Sequence, residues 1–173
     1  MILAIIGNKG GTAKTATAIS LAAGLGLTWI ATQPRLRPWW GTALAGMLRA
    51  GRVDAALVPV IDLARAGGAW EAISDAGIGC DGETLTVRVF SRVPPERMTC
   101  LHCDGDSHTS VVLAQLIWHH WYGRPLEVQP LTKVGSLDQS ESVLLIGDKV
   151  VSAPTRGFAH SIDLGNAWKQ WTH

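Results

Sequence analysis

Apolar residues dominate the start of the chain and set the first predicted elements. Residues 1–7 read MILAIIG, a run whose length, β-branched content and final glycine are typical of a buried strand. Residues 15–27 are rich in Ala and Leu, and the spacing of their apolar positions predicts a helix. A strand, a Gly-rich loop and a helix in this order indicate an α/β fold.

The alternation of element types continues after a proline-containing junction over residues 28–41. The pattern there predicts a short helix over residues 42–51, a buried strand over residues 53–60 and another helix over residues 61–68. Gly51 ends the first of these helices. Strands that alternate with helices in this way pair in parallel, so we expect a parallel sheet in this part of the chain.

The second half of the chain predicts further strands around one long helix. Residues 83–91 alternate with a period of two and contain Val and Thr, which favours a strand. Residues 107–123 predict the helix, with Ser107 or Thr109 as its N-cap and Gly123 at its end. Its predicted apolar face contains Val112, Leu113, Leu116, Ile117 and Trp121. The other predictions are strands over residues 98–103, 126–131 and 143–151 and a turn or helix over residues 162–172.

Length and charge limit the classes of protein to consider. A chain of 173 residues accommodates one compact domain or two small lobes around a cleft, and we expect lobes over residues 1–91 and 92–173. Fifteen basic and fourteen acidic side chains leave a net charge of +1 without charged blocks, so neither nucleic acid nor a membrane is an expected partner. The early apolar stretches are interrupted by polar residues and lack the charge order of a signal peptide, which indicates a cytoplasmic protein.

The cysteines argue against both a disulfide framework and a metal site. Cys80, Cys100 and Cys103 are odd in number and sparse, which fits a reducing compartment. The spacing of Cys100 and Cys103, with histidines nearby, invites a zinc interpretation. A strand would direct these two side chains to opposite faces, and no second cysteine pair follows, so we expect no metal.

Residues 8–15 read NKGGTAKT, the pattern of a phosphate-binding loop between a strand and a helix. The stretch resembles the deviant Walker A motif of ParA/MinD-type ATPases, which implies ATP and Mg as cofactors. The implied nucleotide-binding residues are Lys9, Gly10, Gly11, Lys14 and Thr15, with Asp148 as a carboxylate on a later strand. No Asp or Glu precedes Asp54, although ParA-type proteins place carboxylates after their next strand. A ParA/MinD-like P-loop ATPase is therefore the alternative function.

Six phrases in the body of the chain point to another family. They read LAGMLRAGRVDAALVPV (44–60), GIGCDG (77–82), VRVFSRVP (87–94), DSHTSVVL (106–113), LLIGD (144–148) and DLGNAWKQWT (163–172). In order and in spacing they resemble the MqnA family, the chorismate dehydratases of menaquinone biosynthesis. Any one of these phrases alone is weak evidence of relationship, but six phrases in the same order are a specific signal of the family.

The resemblance implies an α/β, periplasmic-binding-protein-like (type II) fold whose two lobes close on the substrate chorismate. The implied reaction removes water from chorismate to give 3-[(1-carboxyvinyl)oxy]benzoate in the futalosine pathway, without a metal or an organic cofactor. Two catalytic residues are implied by position. Thr86 stands where the family has a serine that contacts substrate, and Asn8 follows the first strand as a family asparagine does.

Chorismate carries two carboxylates, and the N-terminus of a helix binds anions through its free N–H groups. The turn that opens the long helix contains several hydroxyls, so we predict that Ser107, Thr109 and Ser110 bind substrate. The family continues past its WT phrase into further apolar segments and lacks the phosphate loop, so we expect a fold that is incomplete at its C-terminus. A non-catalytic small-anion binding module is therefore a second alternative, and the expected assembly is a monomer or homodimer.

Overall fold

The computed structural model describes residues 3–6, 42–52, 55–72, 79–105, 107–131 and 134–172. The chain divides into two compact units, Met1–Gly79 and Cys80–His173. The lobe boundary expected from the sequence lies later, after residue 91. Residues 87–91 form a strand that pairs on both sides with strands of the second unit, which places this segment in that unit.

The first unit contains a two-stranded parallel sheet. Strand β1 (Leu3–Ile6) pairs with β2 (Ala55–Val58), and helices α1 (Thr42–Arg49) and α2 (Val60–Arg65) precede and follow β2. A small apolar core contains Ala45, Leu48, Ala56, Val58 and Trp70. The predicted elements and their parallel pairing are confirmed here. The helix predicted over residues 15–27 and the junction over residues 28–41 lie outside the described residues.

The second unit contains a five-stranded mixed sheet. Its strands are β3 (Val87–Ser91), β4 (Cys100–Cys103), β5 (Glu127–Pro130), β6 (Ser142–Ile146) and β7 (His160–Asp163). Its helices are α3 (His108–Tyr122), α4 (Lys149–Ser152) and α5 (Leu164–Thr172), with short 3-10 helices at Pro95–Arg97 and Val134–Gln139. The strand order is β5-β4-β6-β3-β7, with β4 parallel to β5 and β6 and with β3 antiparallel to β6 and β7. The α/β class is confirmed.

Apolar side chains at alternate strand positions build a core on each face of this sheet. Val87 and Val89 pack with Trp118 of α3 in one core. The other core contains Phe90, Leu137, Val143 and Leu145. Neighbouring residues of β3 enter different cores because successive side chains of a strand point to opposite faces.

Two strand predictions are wrong at their ends. The sequence pattern extends the first strand of the second unit over residues 83–86, but β3 begins at Val87 because the backbone before it turns at Leu85, where φ is 61°. The pattern also continues β6 through residues 148–151, but β6 ends at Ile146 and α4 follows. Gly147 makes this turn at a φ of 61°, a conformation that glycine adopts without steric cost.

Helix α3 begins and ends where the sequence predicts, since it follows Ser107 and stops at Gly123, whose φ is 64°. Its buried face overlaps the predicted one, since Ile117 is buried and Leu113 and Trp121 pack against the core. The buried residues are Ser110, Ala114, Ile117 and Trp118, whereas Leu116 is 47% exposed. None of the helices in the described ranges, α3 included, is long and apolar enough to span a membrane.

Candidate functional site

The carboxyl end of β4 lies where the winding of the sheet changes direction. From β4 the chain passes through α3 to β5 on one side, and it then returns to β6 on the other side of β4. In open α/β sheets such a switch point leaves a crevice beyond the carboxyl ends of the parallel strands, and ligands bind there. We therefore expect a site at this end of the sheet, which we call the carboxyl edge.

The helix that follows β4 begins with hydroxyl groups that lack partners. Ser107 occupies the N-cap position of α3, but its side chain makes no capping hydrogen bond, so the predicted side-chain cap is wrong. Ser107 Oγ and Thr109 Oγ1 are buried, and neither has a hydrogen-bond partner among the described residues. Buried polar atoms of folded proteins nearly always pair with protein, ordered water or a ligand, so two orphaned hydroxyls in one turn make this turn the candidate ligand-binding position.

The same turn favours an anion as its ligand. The first turn of α3 contains no acidic residue. A helix N-terminus presents free N–H groups and a partial positive charge, which together attract anions. Ser110, the third predicted binding residue, also lies in this turn and is buried. A carboxylate placed here can accept hydrogen bonds from the hydroxyls and from the backbone.

Thr86 lies at the same carboxyl edge. Strand β3 is antiparallel to β6 and Val87 pairs with Ile146, so the start of β3 lies beside the end of β6. The N–H of Gly147 donates a hydrogen bond to the carbonyl of Thr86 at 2.8 Å, which fixes Thr86 next to the turn between β6 and α4. Only β6 separates β3 from β4, and two strand spacings are about 10 Å. The structure therefore brings Thr86 to the edge where α3 begins.

The carboxylate of Asp163 organises the backbone before Thr86. It accepts hydrogen bonds from the N–H groups of Thr84 at 2.9 Å and Leu85 at 2.8 Å, and from the Thr84 hydroxyl at 3.0 Å. It also caps α5 by accepting from the N–H groups of Gly165 and Asn166. Burial alone would raise the pKa of Asp163, but the hydrogen bonds from Thr84, Asn166 and Leu85 outweigh it and lower the pKa.

An ion pair joins the two turns that frame the carboxyl edge. Lys149 Nζ, in α4, bonds to Asp104 Oδ2, in the turn after β4. The Asp104 side chain is only 15% exposed, and salt screens such partly buried pairs less than surface pairs. The pair therefore connects the start of α4 to the segment that leads into α3, and Lys149 neutralises the negative charge of Asp104 there.

One comparison with known proteins decides the family. A family model described as menaquinone biosynthesis matches residues 42–173. The chain belongs to this menaquinone-biosynthesis family. The match contains the whole second unit, so every residue of the carboxyl edge lies inside it. Membership in the menaquinone-biosynthesis family supports a role as an enzyme of that pathway.

The phosphate-loop pattern of residues 8–15 precedes the region matched by the menaquinone-biosynthesis family. Its predicted nucleotide-binding residues, Lys9, Gly10, Gly11, Lys14 and Thr15, lie outside the described residues, as does Asn8, the second predicted catalytic residue of the dehydratase. Their roles stay predictions, as does that of Asp148 as the accompanying carboxylate. In the structure Asp148 directly precedes α4, and its carbonyl accepts a hydrogen bond from the Ser152 hydroxyl at 2.9 Å.

The two cysteines of β4 are held in the protonated form. Burial raises the pKa of Cys103 to about 12, and the neighbouring Asp104 adds to this rise. Burial also raises the pKa of Cys100. A neutral thiol is a poor nucleophile and a poor metal ligand. Within the described part of the chain, no group of three His, Cys, Asp or Glu side chains is placed to hold a metal ion.

Sequence patterns did not single out Leu85, Asp104 or Lys149 as part of a site. Each depends on a partner that is distant in sequence, because Leu85 is held by Asp163 and Lys149 pairs with Asp104. One local signal did exist. An Asp directly before a helix is a capping signal, and Asp163 carries it. Nothing local indicates that the same carboxylate also holds the residues before Thr86.

Proposed function

We propose that this chain is a chorismate dehydratase of menaquinone biosynthesis that eliminates water from chorismate to give 3-[(1-carboxyvinyl)oxy]benzoate. The observation that carries the proposal is the pair of buried, orphaned hydroxyls of Ser107 and Thr109 at the start of α3. Family membership and the sequence resemblance to the MqnA chorismate dehydratases give the proposal its pathway and its substrate.

A carboxylate of chorismate would fill the start of α3. The hydroxyls of Ser107 and Thr109 would donate to its oxygens, and the N–H groups of the first turn would add further donors. Hydrogen bonds to a charged acceptor are about twice as strong as neutral ones, which suits a small substrate that needs firm orientation. Ser110 lies in the same turn, so it stays part of the proposed binding set.

The proposed chemistry requires the loss of a proton from one ring carbon and of hydroxide from its neighbour. Formation of a benzene ring drives the elimination, so the protein has mainly to orient the ring and to assist both departures. We assign Thr86 to the second task because it lies at the carboxyl edge. Its hydroxyl donates to the Thr84 carbonyl at 3.4 Å in this structure and would turn from it to donate to the departing oxygen. The proposal includes no metal and no organic cofactor. It does include a two-lobed, type II periplasmic-binding-protein-like fold.

The test is product formation from chorismate by the full chain. We expect the benzoate product, identified by chromatography and mass, to accumulate with time and with protein concentration. Thr86→Val keeps the shape of the side chain but removes the hydroxyl, and it should lower kcat by about a hundredfold, as the loss of one donor to developing charge does elsewhere. Thr99→Val is the matched control, since Thr99 is exposed and precedes β4 at the opposite end of the sheet.

Two results would overturn the proposal in different ways. If no product forms at high protein concentration while chorismate still binds, the protein is a non-catalytic anion-binding module. If chorismate neither binds nor reacts, the substrate assignment itself is wrong. Equal kcat values for Thr86→Val and the wild type would remove Thr86 from the mechanism without touching the remaining assignments.

A further inference from the structure

Leu85 combines an unfavourable backbone with an exposed apolar side chain. Its φ is 61°, and it is the one non-glycine residue with a positive φ in the part of the chain that the structure describes. An L side chain avoids this region because its Cβ approaches the following carbonyl oxygen. The Leu85 side chain is also 62% exposed, so it packs little against the apolar core.

The backbone of Leu85 is held in place by Asp163. The carboxylate accepts from the Leu85 N–H at 2.8 Å and from both the N–H and the hydroxyl of Thr84. The Asp163 side chain is 3% exposed and is fixed on its other side by the start of α5. A strained conformation that its surroundings fix so firmly is typical of functional sites. Glycine would adopt the same backbone without strain, so folding does not explain why a leucine stands here.

The position of Leu85 suggests what its side chain contacts. Leu85 directly precedes Thr86, which lies at the carboxyl edge. The strand that follows Thr86, β3, is the second strand from β4 across the sheet. Val151 of α4, which follows β6 at the same edge, is 83% exposed. Among the described residues, these two have the largest exposed fractions of the large apolar side chains. The carboxyl edge therefore offers apolar side chains as well as donors for an anion.

We propose that Leu85 is the apolar contact for the ring of a carboxylate ligand that is bound at the start of α3. The inference rests on the proposed function in that both use the same site. A six-membered ring whose carboxylate is held by Ser107 and Thr109 extends along the edge toward Leu85. Burial of the leucine against that ring makes the site prefer ring-bearing carboxylates over small ones, because apolar area is removed from water.

The experiment uses benzoate and acetate as probes of the full chain, with binding followed by titration calorimetry or by NMR shifts. Leu85→Gly should weaken benzoate binding by about tenfold and leave acetate binding unchanged, as expected for the loss of one apolar contact. The same variant should unfold at an equal or higher temperature than the wild type, because glycine relieves the strain. Leu85→Asn, which also tolerates this backbone, should show the same loss of preference.

Leu116→Ala is the matched control, since Leu116 is exposed but lies in the middle of α3, away from its start. It should retain the preference of the wild type for benzoate. The proposal is overturned if the wild type binds benzoate no better than acetate, or if Leu85→Gly keeps the preference. If the protein does not convert chorismate but its preference for benzoate depends on Leu85, the proposed function is wrong and the Leu85 contact is supported.

Discussion

Single residues at the carboxyl edge fall into two groups according to whether their polar atoms are satisfied. The carboxylate of Asp163 accepts hydrogen bonds from two separate segments and is buried. The hydroxyls of Ser107 and Thr109 are buried too, but they have no partner among the described residues. A satisfied buried group stabilises the fold, whereas an orphaned one costs free energy until a ligand pairs with it. We therefore assign Asp163 to positioning and the two hydroxyls to binding.

Cys103 gives a prediction at the residue scale for alkaline pH. An ordinary thiol ionises with a pKa of 9.0, whereas burial raises the pKa of Cys103 to about 12 in the folded state. The folded protein therefore disfavours the thiolate, so this contribution to stability is complete below pH 9.0 and is lost as the pH rises toward 12. One pH unit above the ordinary pKa, the loss in the free energy of unfolding is about 1.4 kcal/mol.

Urea unfolding at about pH 8 and about pH 10 measures this loss, since the interval crosses the ordinary thiol pKa. Cys103→Ala should show a smaller decrease between the two conditions than the wild type does. Cys80→Ala is the control, because Cys80 is exposed and should leave the decrease unchanged. An equal decrease in Cys103→Ala and the wild type would show that ionisation of Cys103 is not coupled to unfolding.

At the scale of elements, the sequence predicted what local signals determine and missed what distant partners determine. Ser107 and Gly123 predicted where α3 begins and ends, and both bounds are correct, although the Ser107 side chain makes no capping hydrogen bond. The start of β3 was predicted too early because the segment before it is bent by hydrogen bonds to Asp163, whose position in the sequence gives no hint of this contact. Likewise, the sequence pattern predicted that the apolar residues of α4 continue β6, but Gly147 turns the chain before them.

Gly165 gives a prediction for the contact between α5 and the segment before β3. A Cβ at this position would collide with the Gly82 carbonyl oxygen and would lie 2.6 Å from Thr84 Cγ2. Gly165→Ala should therefore shift α5 or the residues before Thr86, and it should lower the free energy of unfolding by about 1–3 kcal/mol, as overpacking does. Because Thr86 follows the displaced segment, kcat should fall as well.

Chemical unfolding and the dehydratase assay together check this prediction. The matched control is Gly46→Ala, since Gly46 lies within α1 and an added Cβ meets nothing within 4 Å. Alanine in a helix interior is more favourable than glycine by roughly 0.5–1 kcal/mol, so this control should be slightly more stable than the wild type. Unchanged stability and activity in Gly165→Ala would mean that the contact does not constrain the site.

At the scale of the whole molecule, the candidate site combines two kinds of sequence signal, since the resemblance pointed to Thr86 and the predicted start of the long helix pointed to Ser107 and Thr109. Thr86 and the hydroxyls of Ser107 and Thr109 are separated along the chain, yet the sheet places them at one edge. Periodicity could not show this, because it says nothing about which strands are neighbours. The phosphate-like loop of residues 8–15 lies before the family match, and its ATPase interpretation stays a prediction.

The central claim is that the orphaned hydroxyls of Ser107 and Thr109 bind substrate rather than support the fold. The most direct measurement is kcat/KM for chorismate dehydration by the full chain and by the double variant Ser107→Ala, Thr109→Val. We predict a decrease of about two to four orders of magnitude, since each of the two lost hydrogen bonds to a charged group contributes roughly 1.5–3 kcal/mol. The double variant should be no less stable than the wild type, because it removes two unpaired buried groups. An unchanged kcat/KM in a folded double variant would contradict the assignment.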